Sequence, residues 1–210
     1  MSEEKTRRAR NRMTAAERRE QLVEISRGLF AERGFDGTSI EEVAARASVS
    51  KPVVYEHFGG KEGLYAVVVD REVRRLLGMM QESLQAEHPR VLLEQAAFAL
   101  LDYIEQEPDG FRILVRDSPI GSATGSFVSI ISDIASRVEY ILVNEFKARG
   151  FDPKVAPLYA QMLVGMVGTT GQWWLDTRKP EKQVVAEHLV NLAWNGLAGM
   201  EKKPHLRTKD

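Results

Sequence analysis

Apolar residues recur at intervals of three and four positions along almost the whole 210-residue chain. Leu22, Ile25 and Leu29 form one such stripe, and Leu64 and Val68 belong to another. This spacing places apolar side chains on one face of an α-helix, whereas a half-buried strand would need strict alternation. Alternating segments are nearly absent, so the sequence predicts an all-α fold.

Start and stop signals set the bounds of the predicted helices. Thr14 and Glu17 have the spacing of a capping box, and Ser39 and Glu42 repeat it before a short helix. Ser50 is placed to cap the next helix, and glycines and prolines separate the later segments. We predict a break at 108–110 and a loop at 118–126. The predicted helices cover 15–33, a short segment from 40, 51–58, 61–85, 89–107, 111–116, 127–149, 155–178 and 181–200.

Charge is nearly balanced, with 29 Lys and Arg against 30 Asp and Glu, and 43% of the residues are hydrophobic. This composition is typical of a folded chain and unlike that of a disordered one. A basic segment near the start, residues 5–12, contains no acidic residue and five basic ones: Lys5, Arg7, Arg8, Arg10 and Arg12. It is either a solvated tail or a segment that contacts phosphates or a minor groove.

Several classes of protein are disfavoured by what the sequence lacks. Without cysteine, disulfides, thiol catalysis and cysteine-bound metals are excluded. No apolar run approaches the roughly 18 residues of a membrane span, and the charged N-terminus is unlike a secretory signal. The four histidines lack metal-ligand spacing, and no hydrolase, nucleotide-loop or metalloprotease motif occurs. We therefore expect a cytoplasmic protein with no cofactor, no metal and no enzymatic activity.

Two short helices joined by residues 47–49 make a candidate helix-turn-helix. If the second spans Lys51–Phe58, about 100° per residue places Val54 and Phe58 on its inner face. Such a helix fits a major groove, and the helix N-termini at Ser39 and Ser50 offer amides to phosphates. A hairpin that merely packs in a core is the alternative. The remaining sides of this helix carry Lys51, Pro52, Val53, Tyr55, Glu56 and His57.

The wider sequence favours DNA binding. Within residues 22–65, three patterns occur in order: L-F-x-x-x-G-[FY]-x-x-T-[ST], [IV]-A-x-x-A-x-V-S and [VL]-Y-x-H-F-x-x-K-x-x-L. This segment strongly resembles the DNA-binding region of TetR-family transcriptional regulators. The rest of the chain is similar to that family only in its helical architecture.

The resemblance implies a role for each matching position. The residues that would meet base edges are Lys51, Pro52 and Val53. Those that would contact the phosphate backbone are Thr38, Ser39, Tyr55, His57 and Lys61. Ser48 stands where the family usually has glycine, in a turn that favours a left-handed backbone. Glu56 lies on the side facing DNA, where it either accepts from cytosine or points into solvent.

The second half supplies candidates for dimerisation and ligand binding. The resemblance implies that the last two helices form a four-helix bundle with those of a second copy. The last helix carries an apolar stripe that includes Val184, Val185, Leu189, Leu192 and Leu197. The resemblance also implies a pocket for an apolar or aromatic small molecule. Its candidate lining residues, each of which could instead be ordinary core, are Tyr103, Phe111, Met162, Met166, Thr170 and Trp173.

These inferences combine into one hypothesis about the whole chain. We predict a basic flexible arm at 1–13, a helix-turn-helix DNA-binding domain at 14–61, a helical effector-binding and dimerisation domain at 62–200, and a polar tail at 201–210. The leading hypothesis is a homodimeric repressor that binds a palindromic operator in double-stranded DNA and is released by a small molecule. The alternatives are a constitutive DNA-binding protein without effector, and an all-helical enzyme or lipid carrier.

Overall fold

The computed structural model describes residues 13–86, 88–115 and 127–206, without the side chains of 127–134. Within these ranges the chain forms nine α-helices and no strand, which confirms the predicted all-α fold. None of the helices in this part of the chain is long and apolar enough to cross a membrane. The helices are α1 (Ala15–Arg33), α2 (Ile40–Arg46), α3 (Lys51–Phe58), α4 (Lys61–Ser83), α5 (Pro89–Gln106), α6 (Pro108–Val115), α7 (Phe127–Arg149), α8 (Ala156–Thr177) and α9 (Lys182–Ala198).

Most predicted helix bounds agree with the structure, and the main error concerns residues 108–110. The limits of α1, α3 and α7 are as predicted, and the others differ by a few residues. The break predicted at 108–110 is wrong, because Pro108 begins α6. Proline suits a first helical turn, where the amide hydrogen that it lacks would have no partner. The predicted loop 118–126 and the basic residues 5–12 lie outside the described residues.

The caps of the first helices follow the sequence signals only in part. At α1 the capping box is complete, since Glu17 N donates to Thr14 Oγ1 at 3.2 Å and Thr14 N donates to Glu17 Oε2 at 2.7 Å. At α2, Ser39 accepts from the Glu42 amide at 3.2 Å. The Glu42 carboxylate instead accepts from Arg33 at 2.9 Å. Of the two hydrogen bonds of the second predicted capping box, only the one accepted by the Ser39 side chain forms.

One continuous hydrophobic core joins the first three helices to the later ones. α1 packs against both α4 and α6, while α5 packs against α4 and α9. A separate, smaller cluster holds α7 on α8. The core thus crosses the boundary predicted at residue 61. Its buried members include Leu22, Leu29, Phe30, Val54, Leu64, Leu101, Ile104 and Phe111.

Candidate nucleic-acid interface

The turn between α2 and α3 sets the direction of α3. Ser48 in this turn has a left-handed backbone, with φ +55°. Val54 is fully buried, and Phe58 is partly buried against the same core. The Arg19 guanidinium lies 4.5 Å from the centre of the Phe58 ring and holds the end of α3 against α1. The predicted inner face of α3 is therefore confirmed.

The opposite face of α3 presents donors to solvent. The Lys51 ammonium pairs with the Glu41 carboxylate of α2 and lies 5.7 Å from the centre of the Tyr55 ring. This hydrogen bond raises the pKa of Lys51 and lowers the pKa of Glu41. Because the pair is exposed, exchanging Glu41 for a phosphate or a base edge costs little. The exposed and half-buried residues of this face are Lys51, Pro52, Val53, Tyr55, Glu56 and His57.

Two hydroxyl residues differ from their predicted roles. Thr38 is only 2% exposed, and its hydroxyl donates to the Gly34 carbonyl at 2.8 Å. Its side chain therefore closes the loop between α1 and α2 and is not an exposed phosphate ligand. Ser50 stands at the N-cap of α3, but its side chain makes no capping hydrogen bond. Ser39 is exposed at the N-terminus of α2, as its predicted role requires.

Lys61 has an internal role that its motif did not indicate. Its ammonium donates to the Thr38 carbonyl at 2.9 Å and lies 4.3 Å from the centre of the Phe35 ring. These contacts join the start of α4 to the loop that precedes α2. A phosphate contact by Lys61 would have to share or replace them.

Two arginines of α1 also belong to this unit, although the sequence patterns did not single them out. Arg18 donates to the Ala47 carbonyl at 3.4 Å, next to the turn, and to Gln21 at 2.7 Å. Arg19 contacts Phe58, as described above. Helical periodicity assigns charged residues to the solvent face, so only the folded structure shows that these two brace the helix-turn-helix.

The six candidate ligand-binding residues do not form one site. Tyr103 and Phe111 are fully buried core residues whose ring centres lie 6.5 Å apart. Met162 is 56% exposed and Trp173 is 52% exposed, both on α8. Trp174 is buried and donates to the Pro180 carbonyl, so the two adjacent tryptophans point in different directions.

An open apolar groove of about 300 Å³ lies between α8 and α9. Met166, Thr170 and Trp173 line one wall, while His188 and Leu192 contribute to the other. Three of the six predicted residues therefore share a surface depression. The residues described by the structure contain no group of three or more histidine, aspartate or glutamate side chains placed to hold a metal ion.

Comparison with known families covers both halves of the chain. Residues 22–68 match the family model of bacterial regulatory proteins of the tetR family, and residues 89–196 match that of tetracyclin repressor-like C-terminal domains. The chain belongs to the TetR family. Members of this family are DNA-binding transcriptional regulators and not enzymes, and this holds for the present chain.

Similar TetR-family proteins include both an activator and a repressor. The chain is 29% identical over 191 residues to the HTH-type transcriptional activator FasR of Mycolicibacterium smegmatis, over 90% of this chain and 86% of FasR. It is 24% identical over 180 residues to the HTH-type transcriptional repressor BepR of Brucella suis, over 81% of this chain and 86% of BepR. The family therefore contains regulators that activate transcription and regulators that repress it.

Solved structures share the fold over most of the chain. A TetR-like transcriptional regulator from Rhodococcus sp. superposes with a TM-score of 0.73 at 26% identity, over 90% of this chain and all (100%) of that one. AibR, solved with isovaleryl coenzyme A and operator DNA, gives a TM-score of 0.69 at 19% identity, over 84% of this chain and 97% of AibR. At that identity the likeness to AibR concerns the fold alone.

Replacing Ser48 with glycine is expected to stabilise the protein slightly. A left-handed backbone strains serine by about 1 kcal/mol and does not strain glycine. We expect the melting temperature to rise by about 2 °C. Gly59→Ala is the converse control, since Gly59 has φ +74° and an added Cβ would meet nothing within 4 Å. It should lower the melting temperature, and a decrease for Ser48→Gly as well would refute the strain argument.

Proposed function

We propose that this TetR-family regulator binds a palindromic operator as a homodimer, with one α3 helix in the major groove of each half-site. The exposed face of α3 carries the proposal, because Lys51 and Tyr55 lie side by side on a helix whose other face is buried. Lysine donates to guanine or phosphate, tyrosine donates to phosphate, and Pro52 and Val53 offer apolar contact to a thymine methyl group. Ser39 and His57 are further proposed phosphate contacts. Because bacterial operators lie in the cytoplasm, we propose that this protein is cytoplasmic.

A second copy of this chain is the proposed partner of α8 and α9. One helix-turn-helix reads only a few base pairs, so such units act in pairs on two half-sites. Large apolar side chains exposed together mark interaction surfaces. A two-fold dimer would bury them and present two α3 helices about 34–36 Å apart, the spacing of successive major grooves. The exposed apolar residues of these helices are Leu158, Met162, Trp173, Val184 and Leu192.

We also propose that a small apolar or aromatic molecule controls operator binding and that the unliganded dimer represses. The groove beside Met166 and Thr170 is apolar, and AibR, which shares the fold, was solved with both an acyl coenzyme A and operator DNA. Trp173 lies in the groove and on the proposed dimer surface, so a molecule bound there would change how the two copies pack. Such a molecule shifts the balance between the operator-binding dimer and the released dimer only if its affinities for these two states differ.

The complete burial of Tyr103 and Phe111, two of the six candidate ligand-binding residues, favours a second candidate function, a DNA-binding protein without an effector. Tyr103 and Phe111 fill the core and do not line a cavity. In that case the C-terminal helices would serve only to dimerise. Operator affinity that stays constant across acyl coenzyme A thioesters, fatty acids and aromatic compounds would favour this second candidate.

Selection from a random DNA library by the full-length protein tests the proposed function, and a palindromic consensus is the expected result. Tyr55→Phe should then weaken binding to all selected operators by about tenfold, because each of the two protomers loses one solvent-exposed hydrogen bond to DNA worth about 0.7 kcal/mol. Tyr140→Phe, an exposed tyrosine on α7, is the matched control and should bind like the wild type. Selection without a palindrome, or full affinity in Tyr55→Phe, would contradict the assignment.

A further inference from the structure

A buried group of charged and polar side chains joins α1 to α4 and to the segment around α5 and α6. At its centre is the carboxylate of Glu72 on α4, which is fully buried. Glu72 Oε1 accepts from Arg27 Nε of α1 at 2.8 Å, and Glu72 Oε2 accepts from the Tyr103 hydroxyl of α5 at 2.9 Å. We call Arg27, Glu72, Tyr103 and Glu107 the polar junction.

Arg27 also binds the second carboxylate of the polar junction. Its Nη2 donates to Glu107 Oε2 at 2.6 Å, while Glu107 Oε1 lies 3.1 Å from Arg75 Nη1 of α4. Glu107 stands between α5 and α6. One guanidinium from the DNA-binding unit is therefore held in fixed directions by two carboxylates from separate elements of the C-terminal unit. A planar guanidinium with several directed donors specifies orientation as well as distance.

The charges of the polar junction keep it intact. Burial disfavours the charged form of Arg27, but its hydrogen bond with Glu72 and the charges of Glu72 and Glu107 outweigh this, and its pKa is raised. Burial and the neighbouring Glu72 carboxylate raise the pKa of Tyr103, so its hydroxyl stays a neutral donor. A buried ion pair adds little net stability but strongly penalises arrangements that separate its members.

An ion pair on the surface also joins α1 to α4 and can be compared with the polar junction. Arg71 of α4 pairs with Glu20 of α1, and both side chains are exposed. Exposed pairs contribute little and tolerate rearrangement, because water replaces either partner. Of these two ion-paired contacts between α1 and α4, the polar junction is the one that resists a change of angle.

We propose that the polar junction fixes the angle between the helix-turn-helix unit and the C-terminal helices, and thereby sets the separation of the two α3 helices in the dimer. Arg27, Tyr103 and Glu107 are positioning residues in this view, since none of them is proposed to touch DNA. Loosening the junction lets each DNA-binding unit tilt on its own C-terminal unit. The protein then loses its preference for one half-site spacing while each α3 keeps its contacts. This inference rests on the proposed function.

The test compares operators that differ only in spacing. The operator selected by the wild-type protein is prepared with its natural spacer and with one base pair added or removed. We expect the wild type to bind the altered operators about thirtyfold more weakly, because the recognition helices no longer match the grooves. Tyr103→Phe and Arg27→Gln should bind the natural operator about tenfold more weakly, with less than about a threefold difference between spacings.

Controls separate positioning from general damage to the fold. Circular dichroism checks that each variant is folded, and Glu107→Gln replaces Arg27→Gln if the latter does not fold. Arg71→Gln, in the exposed pair, should keep the full dependence on spacing. If Tyr103→Phe and whichever of Arg27→Gln or Glu107→Gln is folded discriminate between spacings as strongly as the wild type, this inference is overturned while the proposed function stands. A wild-type protein that selects no palindrome would overturn the proposed function and this inference with it.

Discussion

Replacing Gly110 with alanine is expected to lower the free energy of unfolding by about 3 kcal/mol. An added Cβ on Gly110 of α6 would overlap the Glu72 carboxylate and lie 2.6 Å from the Tyr103 hydroxyl. Glu72 has no room to turn away, because it is fully buried and bonded to both Arg27 and Tyr103. The methyl group would therefore separate buried partners and leave a charged group unsatisfied.

Chemical denaturation at a fixed protein concentration measures this effect, and Gly78→Ala is its control. Gly78 lies inside α4, where an added Cβ would meet no atom within 4 Å. Alanine is the better helix former, so this variant should gain up to about 1 kcal/mol. Equal or greater stability of Gly110→Ala relative to the wild type would show that the polar junction can rearrange, which would also weaken the inference about its rigidity.

The helices could be predicted from the sequence because their ends are set by local chemistry. Thr14 and Glu17 interact across three positions, and the stop after Phe58 depends on the left-handed backbone of Gly59. The inner face of α3 followed in the same way, since a helical period alone puts Val54 and Phe58 together. Pro108 misled the prediction because proline both ends one helix and begins another.

The candidate ligand-binding site in the C-terminal helices could not be predicted with the same success. Contacts between segments far apart in the sequence decide whether each of its residues is buried or exposed. An aromatic residue suits a core, a ligand cavity or a dimer surface equally well, and only packing separates Tyr103 from Trp173. The polar junction is harder still, since Arg27 and Glu72 are 45 positions apart. Charged residues on helices ordinarily face solvent, so no pattern within either helix indicated that the two would be buried together.

Replacing Leu192 with glutamate is expected to convert the proposed dimer to monomers and to weaken operator binding by at least about a hundredfold. Leu192 is 65% exposed on α9 and lines the groove that also contains Trp173. The side chain faces outward, so glutamate should leave the fold of the protomer intact. In a dimer the same carboxylate would be buried in the apolar interface without a partner, which strongly opposes association.

Sedimentation velocity and operator titration should change together in this variant, because a monomer engages only one half-site at a time. Tyr140→Glu adds the same charge to an exposed aromatic position on α7, which is not one of the two helices of the proposed interface, and should remain dimeric with full operator affinity. A Leu192→Glu protein that stays dimeric would place the interface on another surface. A monomeric protein that still binds the palindrome tightly would mean that dimerisation is not what aligns the two α3 helices.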